Sequence, residues 1–236
     1  MQTSTKKNIN DELVFQVREL TKYYKCEDEE GNIVNIINFL KRKEDLGIKN
    51  ISFDIYKGSI IGLVGGKKCG KSTLLKILSG IIKPTSGKIL YRETKMSSLQ
   101  LREMVSYISK EQPSSQEYNC TLFENIIQYA CRNNKNRSDV VDKAEKLVND
   151  FEIGEYRYKE VIKLPSAIRS KMFIIRGFLS HKPVLCFDQP FSYIEEPYLE
   201  VFDKYLRGSV LAGKTIIMSS DEIVNIESMC DQIISL

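Results

Sequence analysis

The residues best suited to chemistry form the run GGKKCGKS at positions 65 to 72. This run fits G-x-x-x-x-G-K-[ST] at every fixed position, the pattern of loops that hold phosphate groups. Gly65 and Gly70 allow the backbone to curl so that successive N–H groups point at one anion. Lys71 would bring a positive charge to the β- and γ-phosphates, and the Ser72 hydroxyl would be a ligand for Mg²⁺. The apolar run SIIGLV before the loop and the helical pattern KSTLLKILSG after it supply the expected context.

A second acidic position follows another apolar run. VLCFDQ, residues 184 to 189, has the composition of a buried strand and brings Asp188 to its end. At the carboxyl end of a parallel strand this carboxylate would lie beside the phosphate loop of a neighbouring strand, where it could hold the metal. Taken alone, the same pattern is also typical of an Asp that starts a turn.

Strands and helices predicted from the hydrophobic pattern must position these residues. In the second half of the chain, helices and strands alternate, which predicts a parallel sheet covered by helices. The first strands follow one another without helices between them, which predicts an antiparallel layer beside that sheet. The predicted strands are Leu13–Leu20, Lys49–Tyr56, Ser59–Val64, Lys88–Tyr91, Val105–Ser109, Val184–Phe187, Thr215–Ser219 and Gln232–Leu236. The predicted helices are Lys71–Gly80, Leu122–Arg132, Ser138–Phe151, Pro165–Ser180 and Glu196–Leu211.

Two polar segments interrupt this pattern. The first covers Lys25–Gly47, where apolar residues between Ile33 and Leu40 have the spacing of a short amphipathic helix. The second, Glu111–Asn119, is rich in Ser, Gln and Pro and is predicted to be a loop.

The composition narrows the class of protein. Of the 236 residues, 42% are hydrophobic and 28% are charged, which is typical of a soluble globular protein. Lys and Arg number 35 against 31 Asp and Glu, and this weak, mixed positive charge does not favour nucleic acid as a partner. Six irregularly spaced cysteines and one histidine predict neither a disulfide framework nor a zinc site. No apolar run approaches the ~18 to 20 residues of a membrane span, and the N-terminus lacks the apolar core of a signal peptide, so we expect a cytoplasmic protein.

In the order and spacing of its motifs the chain resembles the nucleotide-binding subunit of ATP-binding cassette (ABC) transporters. The similar segments are LTKYY at 20–24, LLKILSGIIKPTSGKI at 74–89, LFENI at 122–126, RGFLSHKPVLCFDQP at 176–190 and CDQIISL at 230–236. The resemblance covers nearly the whole chain and implies an α/β fold. It implies a P-loop NTPase core, a mostly parallel sheet flanked by helices, with an N-terminal antiparallel β layer and a helical subdomain. Residues 1–236 would form one domain, with about 13–110 and 181–236 as core and layer and about 111–180 as the helical subdomain.

The resemblance also implies the ligands ATP and Mg²⁺ and a set of residues around them. Tyr24 would stack on adenine, and Ser72 and Asp188 would be the metal ligands. The Q-loop position, which in the family reaches the metal, aligns with Lys110. The phosphates would be held by Gly65, Gly66, Lys67, Lys68, Cys69, Gly70, Lys71, Ser72 and Thr73.

Three positions that carry chemistry in this family hold other residues here. After Asp188 the family places a Glu that polarises the attacking water, and this chain has Gln189, whose amide cannot take a proton as a carboxylate does. The switch histidine of the family aligns with Ser220. The Q-loop glutamine aligns with Lys110, whose charge would repel the metal, although Gln112 could be a displaced substitute.

The signature motif of the family, LSGGQ, aligns with Leu164, Pro165, Ser166, Ala167 and Ile168. Pro165 removes a backbone N–H, Ala167 replaces a glycine that allows close approach, and Ile168 removes a polar side chain. The helix that follows should survive, because proline suits the first turn of a helix. We therefore expect this motif to keep its structure and to interact weakly with the γ-phosphate bound by a partner subunit.

These observations predict the ATP-binding subunit of a membrane transporter, with weak or absent hydrolysis of its own. Two alternatives stay open, namely an active ATPase of the same family with atypical residues, and a soluble P-loop regulator or kinase not linked to transport. The resemblance implies a transmembrane permease and a second nucleotide-binding subunit as partners, at the inner face of the cell membrane. A heterodimer is favoured over a homodimer. The segment Lys25–Leu46 resembles an insertion in some exporter subunits, and a solvated surface loop is the alternative.

Overall fold

The computed structural model describes residues 3–5, 12–24, 46–109, 119–131, 137–224 and 226–236. The strands in this part of the chain are β1 (Thr3–Thr5), β2 (Leu13–Tyr23), β3 (Leu46–Tyr56), β4 (Ile60–Val64), β5 (Ser86–Tyr91), β6 (Thr94–Lys95), β7 (Val105–Ile108), β8 (Val184–Phe187), β9 (Thr215–Ser220) and β10 (Gln232–Ser235). The α-helices are α1 (Lys71–Leu78), α2 (Ser98–Met104), α3 (Leu122–Cys131), α4 (Arg137–Asp150), α5 (Ser166–Leu179) and α6 (Leu199–Leu211). Short 3₁₀ helices cover Gly154–Tyr156, Val161–Lys163, Pro190–Ser192 and Glu196–Tyr198.

The described strands form two sheets. One sheet has the order β1-β10-β4-β9-β8-β7, in which every pairing is parallel except that of β1 with β10 at the edge. The other sheet, β3-β2-β5-β6, is antiparallel throughout. Val64 pairs with Ser220 and Phe187 pairs with Met218, so β4, β8 and β9 end at the same edge of the parallel sheet. Ligands bind at this edge in open α/β sheets.

Alternation along the central strands divides the core into two layers. Ile61, Cys186 and Ile217 point to the layer that contains α1 and the antiparallel sheet, while their neighbours Leu185 and Ile216 point to the opposite layer. The opposite layer contains helices α3 to α6. Both faces of the central strands are therefore buried, which is why the sequences of β4, β8 and β9 are largely continuous apolar runs.

Two helices begin with reciprocal hydrogen bonds between a hydroxyl residue and an acidic or amide residue three positions later. Before α3, the Thr121 hydroxyl accepts from the Glu124 backbone N–H at 3.3 Å, and the Glu124 carboxylate accepts from the Thr121 N–H at 2.9 Å. Before α2, Ser97 and Gln100 form the same capping box. Each pair satisfies donors that a helix start leaves unpaired.

The predicted architecture, an α/β core with a mostly parallel sheet and a separate antiparallel layer, is confirmed. The predicted helix that starts at Glu196 is a 3₁₀ turn up to Tyr198, with Pro197 in its first positions, and becomes α6 only at Leu199. Strands β1 and β6 and helix α2 were not predicted, although the capping box at Ser97 was a usable signal for α2. The predicted helix near Ile33–Leu40, most of the predicted loop at 111–119, Gln112 and Lys110 lie outside the described residues.

Candidate nucleotide-binding site

The loop between β4 and α1 depends on two glycines for different reasons. Gly70 precedes the first residue of α1, and its φ of 104° lies in the left-handed region that favours glycine. A Cβ atom there would lie 2.0 Å from the carbonyl oxygen of Gly47. At Gly65 the reason is contact alone, because a Cβ atom would lie 2.6 Å from Sγ of Cys69. A larger residue at either position would push the loop away from its neighbours.

The ammonium group of Lys71 lies within this loop. The lysine side chain is only 2% exposed, and its Nζ donates to the carbonyl oxygens of Gly65 at 2.5 Å and Gly66 at 2.8 Å. Nζ also lies 2.9 Å from Oδ1 of Asp221 and 3.5 Å from Sγ of Cys69. The motif lysine is therefore held by the loop itself and by one carboxylate that follows β9.

The rest of the loop is open to solvent, and Tyr24 stands beside it. Gly66, Lys67 and Lys68 are exposed, while Cys69 and Thr73 are partly buried. The Tyr24 hydroxyl and the Thr73 hydroxyl are 3.0 Å apart, and the tyrosine is 40% exposed. The structure thus brings the predicted adenine-stacking residue to the first turn of the helix that follows the loop.

Asp188 is held at the end of β8 by three hydroxyl groups from three other segments. Ser72 donates to its Oδ1 at 3.0 Å, Ser219 donates to the same oxygen at 2.8 Å, and Tyr107 donates to Oδ2 at 2.6 Å. Asp188 is 7% exposed. Burial, and then the hydrogen bond to Asp188, raise the pKa of Tyr107 well above its usual value, so the phenol remains a donor. The two predicted metal ligands, Ser72 and Asp188, are therefore in direct contact.

Gln189 turns its side chain toward Asp221. Its backbone is in the left-handed region, with φ of 50° and ψ of 53°, and its N–H donates to the Ser219 hydroxyl at 2.9 Å. Its side-chain Nε2 donates to Oδ1 of Asp221 at 3.0 Å. The same carboxylate oxygen therefore accepts from Gln189 and contacts Lys71. An open cleft of about 180 Å³ adjoins this contact.

Ser220 ends β9 and uses its hydroxyl locally. It donates to the carbonyl oxygen of Glu222 at 2.7 Å and accepts from the Glu222 N–H at 3.2 Å. The residue is 3% exposed. This short turn occupies both hydrogen-bonding functions of the hydroxyl, so the side chain stabilises the strand end.

The five residues that align with the signature motif lie at the start of α5. Pro165 is the N-cap rather than a first-turn residue, has no side-chain capping bond, and leaves α5 to begin at Ser166. Pro165 and Ser166 are exposed, Ala167 and Ile168 are partly buried, and Leu164 is buried. The helix is preserved, as predicted, and its first turn presents a hydroxyl to solvent.

Three residues of this site were not predicted to belong to it, namely Tyr107, Ser219 and Asp221. Ser219 and Asp221 flank the position aligned with the switch histidine. The rule used for Asp188, an acid at the carboxyl end of an apolar strand, applies equally to Asp221. Tyr107 carried no such signal, since a tyrosine within a short strand is ordinary core composition.

The residues fit Mg²⁺ and a nucleotide phosphate group. Mg²⁺ prefers oxygen ligands, and the Ser72 hydroxyl with the Asp188 carboxylate is the pair through which P-loop proteins hold it beside the phosphates. Side chains at Gly65 and Gly70 would fill the space where the loop curls. Among the described residues, no group of three or more His, Cys, Asp or Glu side chains has the arrangement of an all-protein metal site.

Comparison with known proteins shows the family of this chain. A family model described as "ABC transporter" matches residues 48–192, from β3 through the 3₁₀ helix after Asp188. The chain therefore belongs to the ABC transporter family, whose ATP-binding domains bind ATP. None of the described helices combines the length and the apolar character needed to cross a membrane.

Similar proteins differ greatly in length. The human ATP-binding cassette sub-family A member 6 is 28% identical over 196 residues, which cover 83% of this chain but only 12% of that protein. The ABC transporter ATP-binding protein NatA of Bacillus subtilis is 21% identical over 198 residues, covering 83% of this chain and 80% of NatA. A solved structure described as a dimeric post-hydrolysis state of the ATP-binding cassette MJ0796 bound to ADP and Pi shares the fold. Its TM-score is 0.71 at 20% identity, over 94% of each chain.

Proposed function

We propose that this chain is the ATP-binding subunit of an ABC transporter that binds Mg-ATP and hydrolyses it weakly or not at all. The observation that carries the proposal is the contrast between two neighbours at the end of β8. Asp188 is placed against Ser72, as a metal ligand must be, whereas Gln189 supplies an amide where the family has its base. The residues needed to bind Mg-ATP are therefore present, whereas the side chain that would accept the proton of the attacking water is missing.

Groups from three segments meet at one edge of the parallel sheet, which supports nucleotide binding. The loop after β4, the carboxylate after β8 and the Ser219 hydroxyl of β9 meet there, and α1 directs its N-terminal N–H groups into the loop. Lys71 is desolvated at this point, which strengthens its attraction for a phosphate. Tyr24, beside Thr73, supplies an exposed ring for the base.

Two side chains at positions that carry chemistry in the family are occupied or inert here, which supports weak hydrolysis. The Gln189 amide donates to Asp221 and has no basic atom for the proton of the attacking water. The Ser220 hydroxyl is engaged by Glu222 and cannot replace an imidazole. Losing a positioned general base costs about 10²- to 10⁴-fold in rate.

The partnership follows from the family, in which ATP-binding subunits dimerise and work with membrane permeases. The exposed Pro165 and Ser166 at the start of α5 would face the second subunit, and the atypical motif favours a different chain as that subunit. The chain would then lie at the inner face of the membrane through its permease. We also propose that residues 111–180 form the helical subdomain of the chain. We favour export as the direction of transport, because the sequence of segment 25–46 resembles an insertion in some exporter subunits.

Calorimetric titration with ATP and Mg²⁺ tests the binding. We expect one site in the wild-type chain and loss of binding in Lys71→Ala. Lys83→Ala is the control, because Lys83 is an exposed lysine outside the loop and its loss should leave the affinity unchanged. Equal affinity for wild type and Lys71→Ala would refute the assigned site.

A further inference from the structure

We propose that Asp221 is a positioning residue that competes with nucleotide phosphate for Lys71 and thereby lowers the affinity of the loop. The inference rests on the proposed function for the identity of the ligand. Its basis is a single carboxylate oxygen, Oδ1 of Asp221, that lies 2.9 Å from Nζ of Lys71 and 3.0 Å from Nε2 of Gln189.

The contact between Asp221 and Lys71 matters because the N–H donors of Lys71 are already occupied. A lysine ammonium has three N–H donors. Its three oxygen acceptors here are the carbonyl oxygens of Gly65 and Gly66 and the carboxylate of Asp221, the weakly accepting Sγ of Cys69 lies 3.5 Å away, and the side chain is almost completely buried. A phosphate can gain a hydrogen bond from Lys71 only if one of these acceptors gives way.

Of the three acceptors, Asp221 is the one that a phosphate must displace. The two carbonyls belong to the loop that binds the phosphate and are uncharged, whereas a carboxylate and a phosphate repel each other at the same ammonium. The Asp221 side chain is 30% exposed, so it has solvent to move into. Lys71 cannot move away in the same manner, because its side chain is enclosed by the loop.

Gln189 completes the arrangement. Its amide N–H₂ donates to the oxygen that faces Lys71, and this hydrogen bond holds the carboxylate in place. A glutamate at position 189 would instead place two carboxylates in contact at this distance, which is unfavourable. Release of Asp221 would also free the Gln189 side chain.

The test is the affinity for Mg-ATP of the variant Asp221→Asn, measured by calorimetry on the full chain. Asparagine keeps the size and one acceptor oxygen but removes the charge. We expect binding about five- to thirty-fold tighter than wild type, which corresponds to about 1 to 2 kcal/mol. Glu222→Gln is the matched control, since it removes a charge from the adjacent exposed residue and should leave the affinity unchanged.

Melting temperatures without nucleotide provide a second readout. Asp221→Asn should destabilise the wild-type chain, because buried Lys71 loses its counter-charge. In a Lys71→Met background the same change should have a smaller or opposite effect. The two shifts should differ by roughly 2 to 4 °C for a chain of this size. Such non-additivity identifies the ion pair, which a general loss of structure would not produce.

The outcomes separate this inference from the proposed function. If wild type binds ATP and Asp221→Asn binds equally or more weakly, the competition is refuted and the proposed function stands. Additive melting shifts would also refute it, because they would show that Asp221 does not hold Lys71. If neither chain binds ATP, the proposed function fails and the inference fails with it.

Discussion

The phenol of Tyr107 donates a hydrogen bond across 2.6 Å to Oδ2 of Asp188, from within β7 to the residue that follows β8. The other carboxylate oxygen of Asp188 accepts from Ser72 and Ser219. Asp188 is therefore oriented from both sides, and its Oδ1 faces Ser72, the other predicted metal ligand. Partners of this kind tune the ligands that they orient.

Replacing Tyr107 by Phe should weaken the dependence of ATP binding on Mg²⁺. Without the phenol, one oxygen of a buried carboxylate loses its donor and Asp188 is less firmly oriented. Loss of such a partner typically costs about ten- to a hundredfold in metal affinity. Titrations with and without Mg²⁺ measure the effect, and Tyr129→Phe is the control, since Tyr129 bonds to Ser106 instead. Equal Mg²⁺ dependence in Tyr107→Phe and wild type would show that the hydrogen bond has no such role.

The purified chain should release phosphate from ATP far more slowly than an ordinary enzyme. Gln189→Glu alone should give partial recovery at most, because Ser220 and Pro165 remain and the new carboxylate would face Asp221. The double variant Gln189→Glu with Asp221→Asn should recover more than Gln189→Glu alone. Wild-type turnover on the order of 1 to 10 per second in a steady-state assay would instead establish an active ATPase with atypical residues.

Gly70→Ala should destabilise the chain and abolish ATP binding. A side chain at φ of 104° is strained by about 1 to 3 kcal/mol, and its Cβ would lie 2.0 Å from the backbone oxygen of Gly47. We expect a melting temperature lower by several degrees. Gly66→Ala is the control, because a Cβ atom there meets nothing within 4 Å. Equal melting temperatures for the two variants would contradict the close approach at Gly70.

Affinity purification from gently solubilised membranes should recover this chain with a multi-span protein and a second cassette. The physical reason is that a cassette with a weak hydrolytic site can still close on one with an intact site. Ser166→Arg, which places a bulky charge on the exposed start of α5, should reduce recovery of the second cassette. Recovery of the wild-type chain alone would refute the partnership.

Lys214 should make stability depend on pH. Burial, together with the charge of Lys143, lowers the pKa of Lys214 to about 8, although its Nζ donates to the Ser180 carbonyl. Between about pH 8 and the unfolded value near 10.5 the unfolded chain binds more protons, so this residue's contribution to stability rises with pH. Lys214→Met should therefore gain stability relative to wild type at pH 7 and lose that advantage by pH 10. Denaturant unfolding at several pH values measures this difference in stability. Lys163→Met, at an exposed lysine, is the control variant. A stability difference between wild type and Lys214→Met that does not change with pH would contradict the lowered pKa.

Local patterns in the sequence determined most of the elements and the principal motif. The loop at 65–72 could be recognised because its glycines, lysine and hydroxyl must follow one another at fixed spacing. The central strands could be recognised because both their faces are buried, which produces unbroken apolar runs. The start of α3 was equally readable, because the capping pair Thr121 and Glu124 is local.

Only the tertiary structure decided which strand ends meet. Hydrophobic periodicity assigns a face to each residue but does not set the order of strands in a sheet, and here β9 lies between β4 and β8. That order brings Asp221 to Lys71 and Gln189, whereas the pairing of β7 with β8 brings Tyr107 to Asp188. The sequence by itself therefore determined that the phosphate-loop motif is present and that position 189 holds a glutamine. How those residues hold one another depends on contacts between distant segments, which only the packing of the sheet specifies.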